Sequence, residues 1–316
     1  MSLVPRPPWP REMPSRPVQR ASEDQQASVA RVLAQAATHQ ADQREAPRAR
    51  VETPARIAYD AIRAVNWSTL RHLRHSPARC KWRMAHPEPP KPAWLLGAAL
   101  HAALLEPADV ARRYALCEVR RDARTRAYQD WLADHHEAQA LTADEWDAVQ
   151  GMTAAVRRHP HAAVALAAAR TEVTLEWVDA PTGLRCKGRV DALGAGLVEL
   201  KTARNVAPEA LGRAAYAYAY HGQLAWYDDG ARVAGQLADD APPPKVIAVE
   251  TAPPWEVVVY SVPAAVIEQG RALWRRLLDQ YAACQASGYW PAIGDTVQSL
   301  ELPRWAHEAP AEEEQW

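Results

Sequence analysis

Asp191, Glu199 and Lys201 are the residues whose types and spacing best suit chemistry. Asp191 lies in the run GRVDAL (188–193), and Glu199 and Lys201 stand two apart in VELKTA (198–203). A strand directs every second side chain to the same face, so Glu199 and Lys201 project together. If the two runs pair as neighbouring strands, Asp191 sits beside them. Two carboxylates and an ammonium at one point suit a hard cation with an activated water, the means of hydrolysing a phosphodiester. A Glu-x-Lys pair alone is weak evidence, because exposed strands often alternate acid and base in salt bridges. Here Val198 and Leu200 give the strand an apolar face, and the chain has five lysines against 32 arginines. A compact ammonium with a tunable pKa suits water activation, and a guanidinium does not replace it easily.

Other residues join this set with an alternative reading beside each. Arg185, Lys187 and Arg189 lead along one strand face to Asp191, either as a track for phosphates or as a solvated edge. His101 lies one turn after Gly97 on an apolar helix. It is either a packed core histidine or an imidazole directed at the carboxylates, and Gly97 would let that helix approach a sheet closely. Gln223 and Tyr227 are four apart on a later helix, and Tyr216 and Tyr220 continue their stripe. That stripe is either core or a surface for the DNA backbone and bases. Glu172, grouped by alternation with Thr174 and Glu176, either assists a metal or is solvated.

The elements that must position these residues follow from period and punctuation. Helices are expected over 57–65, 68–75, 91–105, 107–116, 124–138 and 142–159. Ser68 is a candidate cap, Pro77 a stop, and Thr142 with Glu145 a capping box. The period then changes to two. Strands are expected over 171–178, 184–193 and 197–202, with Pro181-Thr182-Gly183 and Gly194-Ala195-Gly196 as turns. Helices at 208–219 and 221–237, strands at 245–251 and 255–261, and a long helix at 263–287 complete the order. This predicts an α/β (α+β) fold: a mixed β-sheet flanked by helices, with a helical N-terminal part. Residues 1–55 are rich in Pro, Arg and Gln and read as a flexible arm, with a short helix over 22–39 the one periodic stretch in it. The folded domain is expected over 56–300, followed by an acidic tail, 301–316.

Bulk properties exclude some classes. Net charge is −1, so any contact with nucleic acid must come from a local basic surface. Cys80, Cys117, Cys186 and Cys284 are scattered without metal-ligand spacing and read as free thiols of a reducing compartment. The apolar run from Ala93 to Leu105 is too short to cross a bilayer, and Pro and Arg interrupt any secretory pattern. A soluble cytoplasmic protein is expected. No Walker motif is present, so ATP is not expected to take part.

Taken in order, Gly97-x3-His101, Gly188-x2-Asp191, Glu199-x-Lys201 and Gln223-Leu224-x2-Tyr227 resemble the PD-(D/E)XK nuclease superfamily, in its RecB-like branch. Within it, NWSTLRHLRHSPAR, GAALHAALLEP and YHGQLAWYDDG resemble the phage and prophage exodeoxyribonuclease VIII (RecE-type) group. The resemblance runs from about Val65 to Pro291. It departs at Val190-Asp191, where the superfamily often has Pro-Asp. It implies a restriction-endonuclease-like fold, Mg2+ dependence with Mn2+ as a substitute, and digestion of double-stranded DNA ends. It also implies a single-strand annealing protein as partner in homologous recombination, and a homo-oligomer. Relatives with an iron–sulfur cluster need clustered cysteines after the nuclease core, where only Cys284 lies, so no cluster is expected. On this reading Asp191, Glu199, His101 and the Leu200 carbonyl hold metal, Lys201 orients water, and Arg185, Lys187, Arg189, Gln223 and Tyr227 contact DNA, with Tyr220 and Glu172 as additional candidates. The alternatives are an endonuclease or single-strand nuclease of the same superfamily, or a non-cleaving DNA-end binding protein.

Overall fold

Helices dominate the first half of the chain and strands take over near residue 170, where the apolar period changes from helical to alternating. A computed structural model describes residues 56–86, 92–294, 297 and 299–301, within a unit spanning Arg50–Trp316. The expected arm, its helix over 22–39 and nearly all of the acidic tail lie outside these residues.

The helical part comprises α1 (Arg56–Ala61), α2 (Trp67–Leu70) continued by a 3-10 turn (Arg71–Arg74), α3 (Pro77–Ala85), α4 (Pro92–Leu105), α5 (Val110–Arg113), α6 (Arg126–Asp134), α7 (Ala143–Arg158) and α8 (Pro160–Ala167). Two short strands, β1 (Tyr114–Leu116) and β2 (Gln139–Leu141), pair in parallel within it. The capping box of α7 forms: the Glu145 amide donates to Thr142 Oγ1 at 3.2 Å and the Thr142 amide to Glu145 Oε2 at 2.9 Å. Three expectations need correction, the first being the helix over 107–116, where a 3-10 turn and α5 give way to β1 at Tyr114. Asn66, not Ser68, caps α2, accepting from the Thr69 amide at 2.8 Å. Pro77 does not follow a helix but opens α3 as its first residue, with Ser76 as cap.

The sheet contains β3 (Arg170–Val178), β4 (Arg185–Leu193), β5 (Leu197–Ala203), β6 (Lys245–Glu250) and β7 (Val257–Ser261), in that spatial order. β3, β4 and β5 run antiparallel in turn, as short turns between them require. β6 is parallel to β5, which demands a crossover. α9 (Pro208–Ala217) and α10 (Tyr220–Val233) supply it, and α11 (Ala264–Ser287) follows β7. One face of the sheet packs with α2, α3, α10 and α11 around Leu175, Val190, Leu224, Trp226 and Leu278. The other packs with α4, α7 and α8 around Leu100, Met152, Ala192, Leu200 and Ile247. Among the described residues no helix is long and apolar enough to cross a membrane.

Candidate active site

Asp191 sits where β4 and β5 stop pairing. Their ladder holds only at Ala192–Val198 and Leu193–Leu197. Beyond it the strands diverge, and the Leu200 amide donates instead to Asp191 Oδ2 at 2.7 Å. A buried amide left unpaired would cost about 1–3 kcal/mol, so this bond both stabilises the divergence and fixes the carboxylate's orientation. The edge of β4 freed by the divergence is filled by the segment before α2. The Val65 amide donates to the Arg185 carbonyl at 2.8 Å, and the Lys187 amide to the Val65 carbonyl at 2.7 Å.

Glu172 stands opposite Asp191 in the register of β3 and β4, between the pairs Thr171–Ala192 and Val173–Val190. Its φ of 52° lies in the left-handed region, which costs a non-glycine residue about 1 kcal/mol or more. Here the alternation slips by one. Cys186 and Val190 pack with the α10 and α11 layer, whereas Ala192, an even number of residues on, packs with α4 and α7. Glu172 is buried at 9% exposure, and Thr174 on the same strand is half-buried. His101, Glu172 and Asp191 each bring a potential metal ligand within 4.8 Å of the others. His101 Nδ1 lies 3.4 Å from Asp191 Oδ1. Gly97 does not explain how near α4 lies: a Cβ there would meet Thr202 Oγ1 at 3.4 Å, an ordinary contact.

Glu199 and Lys201 project together toward α10. Lys201 Nζ donates to Glu199 Oε1 at 2.8 Å and to Gln223 Oε1 at 3.2 Å. Gln223 Nε2 in turn donates to Tyr227 OH at 3.2 Å. Gly188 admits the Tyr227 ring, which would lie 2.9 Å from a Cβ at that position. The Tyr220 ring covers the ammonium, its centroid 5.0 Å from Nζ. Glu199 is 2% exposed, and its Oε2 is buried with no hydrogen-bond partner. Tyr220 also lines a cavity of about 310 Å3 with Leu211, Tyr216, His221, Leu224 and Tyr260.

The electrostatics are those of crowded acids. Burial, and then repulsion from Asp191, push the Glu199 carboxyl up to about 7. Burial raises Glu172 too, and Asp191 adds to it. Burial would also raise Asp191, but His101, Lys201 and the Leu200 amide hold it below the usual carboxylate range. Burial disfavours the charged forms of His101 and Lys201, yet their carboxylate neighbours win and raise both. Lys201 is therefore a protonated donor at neutral pH. The donor set fits a hard divalent cation: a buried carboxylate oxygen without a partner, acids that repel one another and a nearby imidazole are what such an ion satisfies.

The row Arg185, Lys187 and Arg189 is not a continuous surface. Arg185 is exposed and paired to Glu176 at 3.1 Å. Lys187 is buried: its Nζ donates to the Tyr59 carbonyl at 2.7 Å and lies 4.2 Å from the centre of that ring. Arg189 lies between two acids, with Nε 2.5 Å from Glu172 Oε2, an ion pair without hydrogen-bond alignment, and Nη2 3.3 Å from Glu106 Oε1. Tyr59 of α1 covers Lys187, which a strand pattern alone does not reveal. Gln223 and Tyr227 stand behind Lys201 rather than facing outward, while Tyr216 and Tyr218 are exposed. Glu106 and Tyr59 were not singled out by the sequence. Glu106 ends the GAALHAALLEP run, and its charge at the end of an apolar helix is the signal that was there to find.

Residues 66–303 match the profile of a family described as a PDDEXK-like domain of unknown function (DUF3799). No curated protein matches the chain in sequence. Among solved structures, a crystal structure described as a "Putative exonuclease" from Eubacterium rectale is similar at 9% identity and a TM-score of 0.51, covering 78% of this chain and 93% of the other. At that identity the likeness speaks for the fold, which is the restriction-endonuclease-like mixed sheet flanked by helices.

Proposed function

Taking as premise that the chain belongs to the PDDEXK-like family, we propose that it is a divalent-metal-dependent nuclease that digests double-stranded DNA from its ends. The observation that carries this reading is the buried Glu199 carboxylate, with one oxygen unpartnered and the other 2.8 Å from Lys201 Nζ, close enough to Asp191 for mutual repulsion. A structural ion pair would have satisfied both oxygens.

Asp191 and Glu199 hold the ion, with His101 and the Leu200 carbonyl completing the set, and Glu172 is added to it by its position. Mg2+, with Mn2+ as a substitute, supplies charge that polarises the scissile phosphate and lowers the pKa of attacking water. Lys201, kept protonated by its acidic neighbours, orients that water through Nζ and offsets charge gathering on the phosphate oxygens. Gln223 and Tyr227 keep Nζ in place. Tyr220 and the cavity beside it offer aromatic faces on which a base freed from the duplex end can stack. ATP and an iron–sulfur cluster have no part in this reading.

Attack on DNA ends is supported by the RecE-type motifs, and an exonuclease mode by the description of the structural neighbour as a "Putative exonuclease". By the same resemblance the enzyme works in recombination with a single-strand annealing protein and as a homo-oligomer whose subunits together retain the duplex, and its four free cysteines suit the cytoplasm. One assay tests the core of this: linear and covalently closed circular duplex, each with Mg2+ and with EDTA. Loss of linear DNA alone, abolished by EDTA, is expected. Cutting of closed circles points to an endonuclease, and no metal-dependent cleavage of either overturns the reading.

A further inference from the structure

A nuclease with net charge −1 needs a local surface to hold phosphates, and β4 does not offer one beyond Arg185. A basic stretch free of acids lies elsewhere. Residues 71–86, RHLRHSPARCKWRMAH, hold Arg71, Arg74, Arg79, Lys81 and Arg83 with three histidines and no acid. They form the 3-10 turn and α3, and Arg71, Arg74, Arg79 and Lys81 are exposed. Among the described residues none of these four is ion-paired. An exposed aromatic lies among them: Trp82 is 53% exposed, stacked on His86 at 4.8 Å, with the Arg83 guanidinium 5.0 Å from its ring centre. Basic groups interleaved with an exposed aromatic suit a nucleic-acid strand, with phosphates on the cations and a base or sugar on the ring.

This surface is fixed to the catalytic helix. The Trp67 indole fills the space beside Gly222 of α10, 2.3 Å from where a Cβ would be, which locks α2 onto that helix. Arg74 donates to the Ala217 and Tyr216 carbonyls at 3.1 and 3.4 Å, tying the 3-10 turn to the end of α9. From there the exposed Tyr216 and Tyr218 lead on to Tyr220, which stacks with Tyr218 at 5.9 Å and covers Lys201.

We propose that the turn and helix over 71–86 are the DNA track of this protein, where Arg71, Arg79 and Lys81 hold phosphates of the strand that reaches Lys201 past Tyr216 and Tyr218. The proposal rests on the nuclease reading, and its test separates the two. Full-length Lys201→Ala protein, unable to cut, is titrated with a fluorescent duplex over 50 to 200 mM salt in EDTA. It is compared with the same protein also carrying Arg71→Ala, Arg79→Ala and Lys81→Ala. Arg74 is left in place because it holds α9.

Each lost phosphate contact removes about 0.9 from the slope of log K against log salt, so the triple change should flatten it by about 2–3 and weaken binding roughly 10-fold or more. Arg71→Lys with Arg79→Lys keeps the charge and should keep the slope. If the triple variant melts early, Lys81→Ala alone should still flatten the slope by about 1. In the cutting enzyme the triple change should raise KM for DNA and leave hydrolysis of thymidine 5′-p-nitrophenyl phosphate unchanged. An unaltered slope in a folded triple variant overturns the track even when cleavage is intact, as does a parent protein that does not bind DNA. A protein that binds with the full slope yet cleaves neither DNA nor the small diester in Mg2+ or Mn2+ overturns the nuclease reading and leaves the track standing.

Discussion

Two groups of acids, all buried but the half-buried Asp229, face different partners in this molecule. On the α10 and α11 side, Asp179, Asp228 and Asp229 are each clamped by arginine. Arg275 donates to both oxygens of Asp179 at 2.6 and 3.1 Å, and the Thr182 amide and hydroxyl add two more bonds. Asp229 accepts from Arg271 and from the Trp274 indole at 2.9 Å, and Asp228 accepts from Arg232 at 2.9 Å. At the divergence of β4 and β5, Asp191, Glu199 and Glu172 crowd together, with Lys201 and Arg189 as the nearest cations. One Glu199 oxygen there has no partner, and Glu172 has a left-handed backbone. Both groups are charged and mostly buried, but only the second is left unsatisfied. Burial of acids therefore does not mark function here; an incomplete shell of partners does.

The largest effect that should separate the two groups is on rate. Lys201→Ala is expected to lower cleavage ~10²-fold or more with little change in melting, since Nζ acts on charge formed in the transition state. Wild-type turnover by a folded Lys201→Ala protein would remove the second group from the chemistry. Asp179→Ala should do the opposite, leaving active-site chemistry in the folded protein near wild type while costing about 3 kcal/mol of stability, because Arg275 loses its buried partner. Denaturant unfolding reads that loss.

Next comes metal affinity and its link to pH. Asp191→Asn and Glu199→Gln should each weaken Mg2+ or Mn2+ binding measured by calorimetry, and unchanged affinity in both would assign the carboxylates to structure. Without metal, Glu199 and Asp179 should respond to pH with opposite sign. Glu199 has a folded pKa raised to about 7, so the folded state holds the extra proton and stability falls as pH rises from about 4.5 toward 7. For Asp179, burial opposes ionisation, but Arg275 and Thr182 win and lower the pKa. Its contribution is present above the usual carboxylate range and is lost as pH falls through the lowered value. Glu199→Gln should flatten the first slope and spare the second. Equal slopes in wild type and Glu199→Gln would show that Glu199 carries no such strain.

His101→Ala should have a smaller effect. As a ligand it lowers activity, excess Mn2+ restores part of it, and melting hardly moves. A packed core histidine would instead lower the melting temperature with no rescue by metal. Its place at 3.4 Å from Asp191, with 29% of its side chain exposed, favours the first outcome.

The sequence made the unsatisfied group legible in part. Asp191, Glu199 and Lys201 could be placed together because strand alternation and the turn at Gly194 are local signals, and Thr142 with Glu145 gave the start of α7 in the same way. For Glu172 alternation leaves metal and solvent both open, because the groups that surround it, Arg189 and Asp191 of β4 and His101 of α4, come from other segments of the chain. Lys187 read as a surface cation because what covers it, Tyr59, is 128 residues away in the chain. Nor could the Tyr-Asp-Asp-Gly run 227–230 be told from a metal site by residue type. What makes those aspartates structural is Arg232, one turn on, for Asp228, and Arg271 and Trp274 of α11 for Asp229, a contact between distant segments. Pro77 as a stop hides α3, because Ser76 before it caps the helix and makes Pro77 its start.

The smallest effect expected is that of removing residues 1–50. Every partner named in either group of acids lies between Tyr59 and Arg275, and the arm's composition, dense in Pro and Arg, is poorly suited to joining a core. The truncated protein should therefore melt within a degree or two of the full chain, bind metal with the same affinity and degrade linear duplex at a similar rate. Melting, calorimetry and the cleavage assay on one preparation check all three. A truncated protein that unfolds would move the domain boundary into the arm. One that folds and binds metal but degrades linear DNA slowly, while still hydrolysing a small diester, would give the arm's arginines a share in holding the substrate.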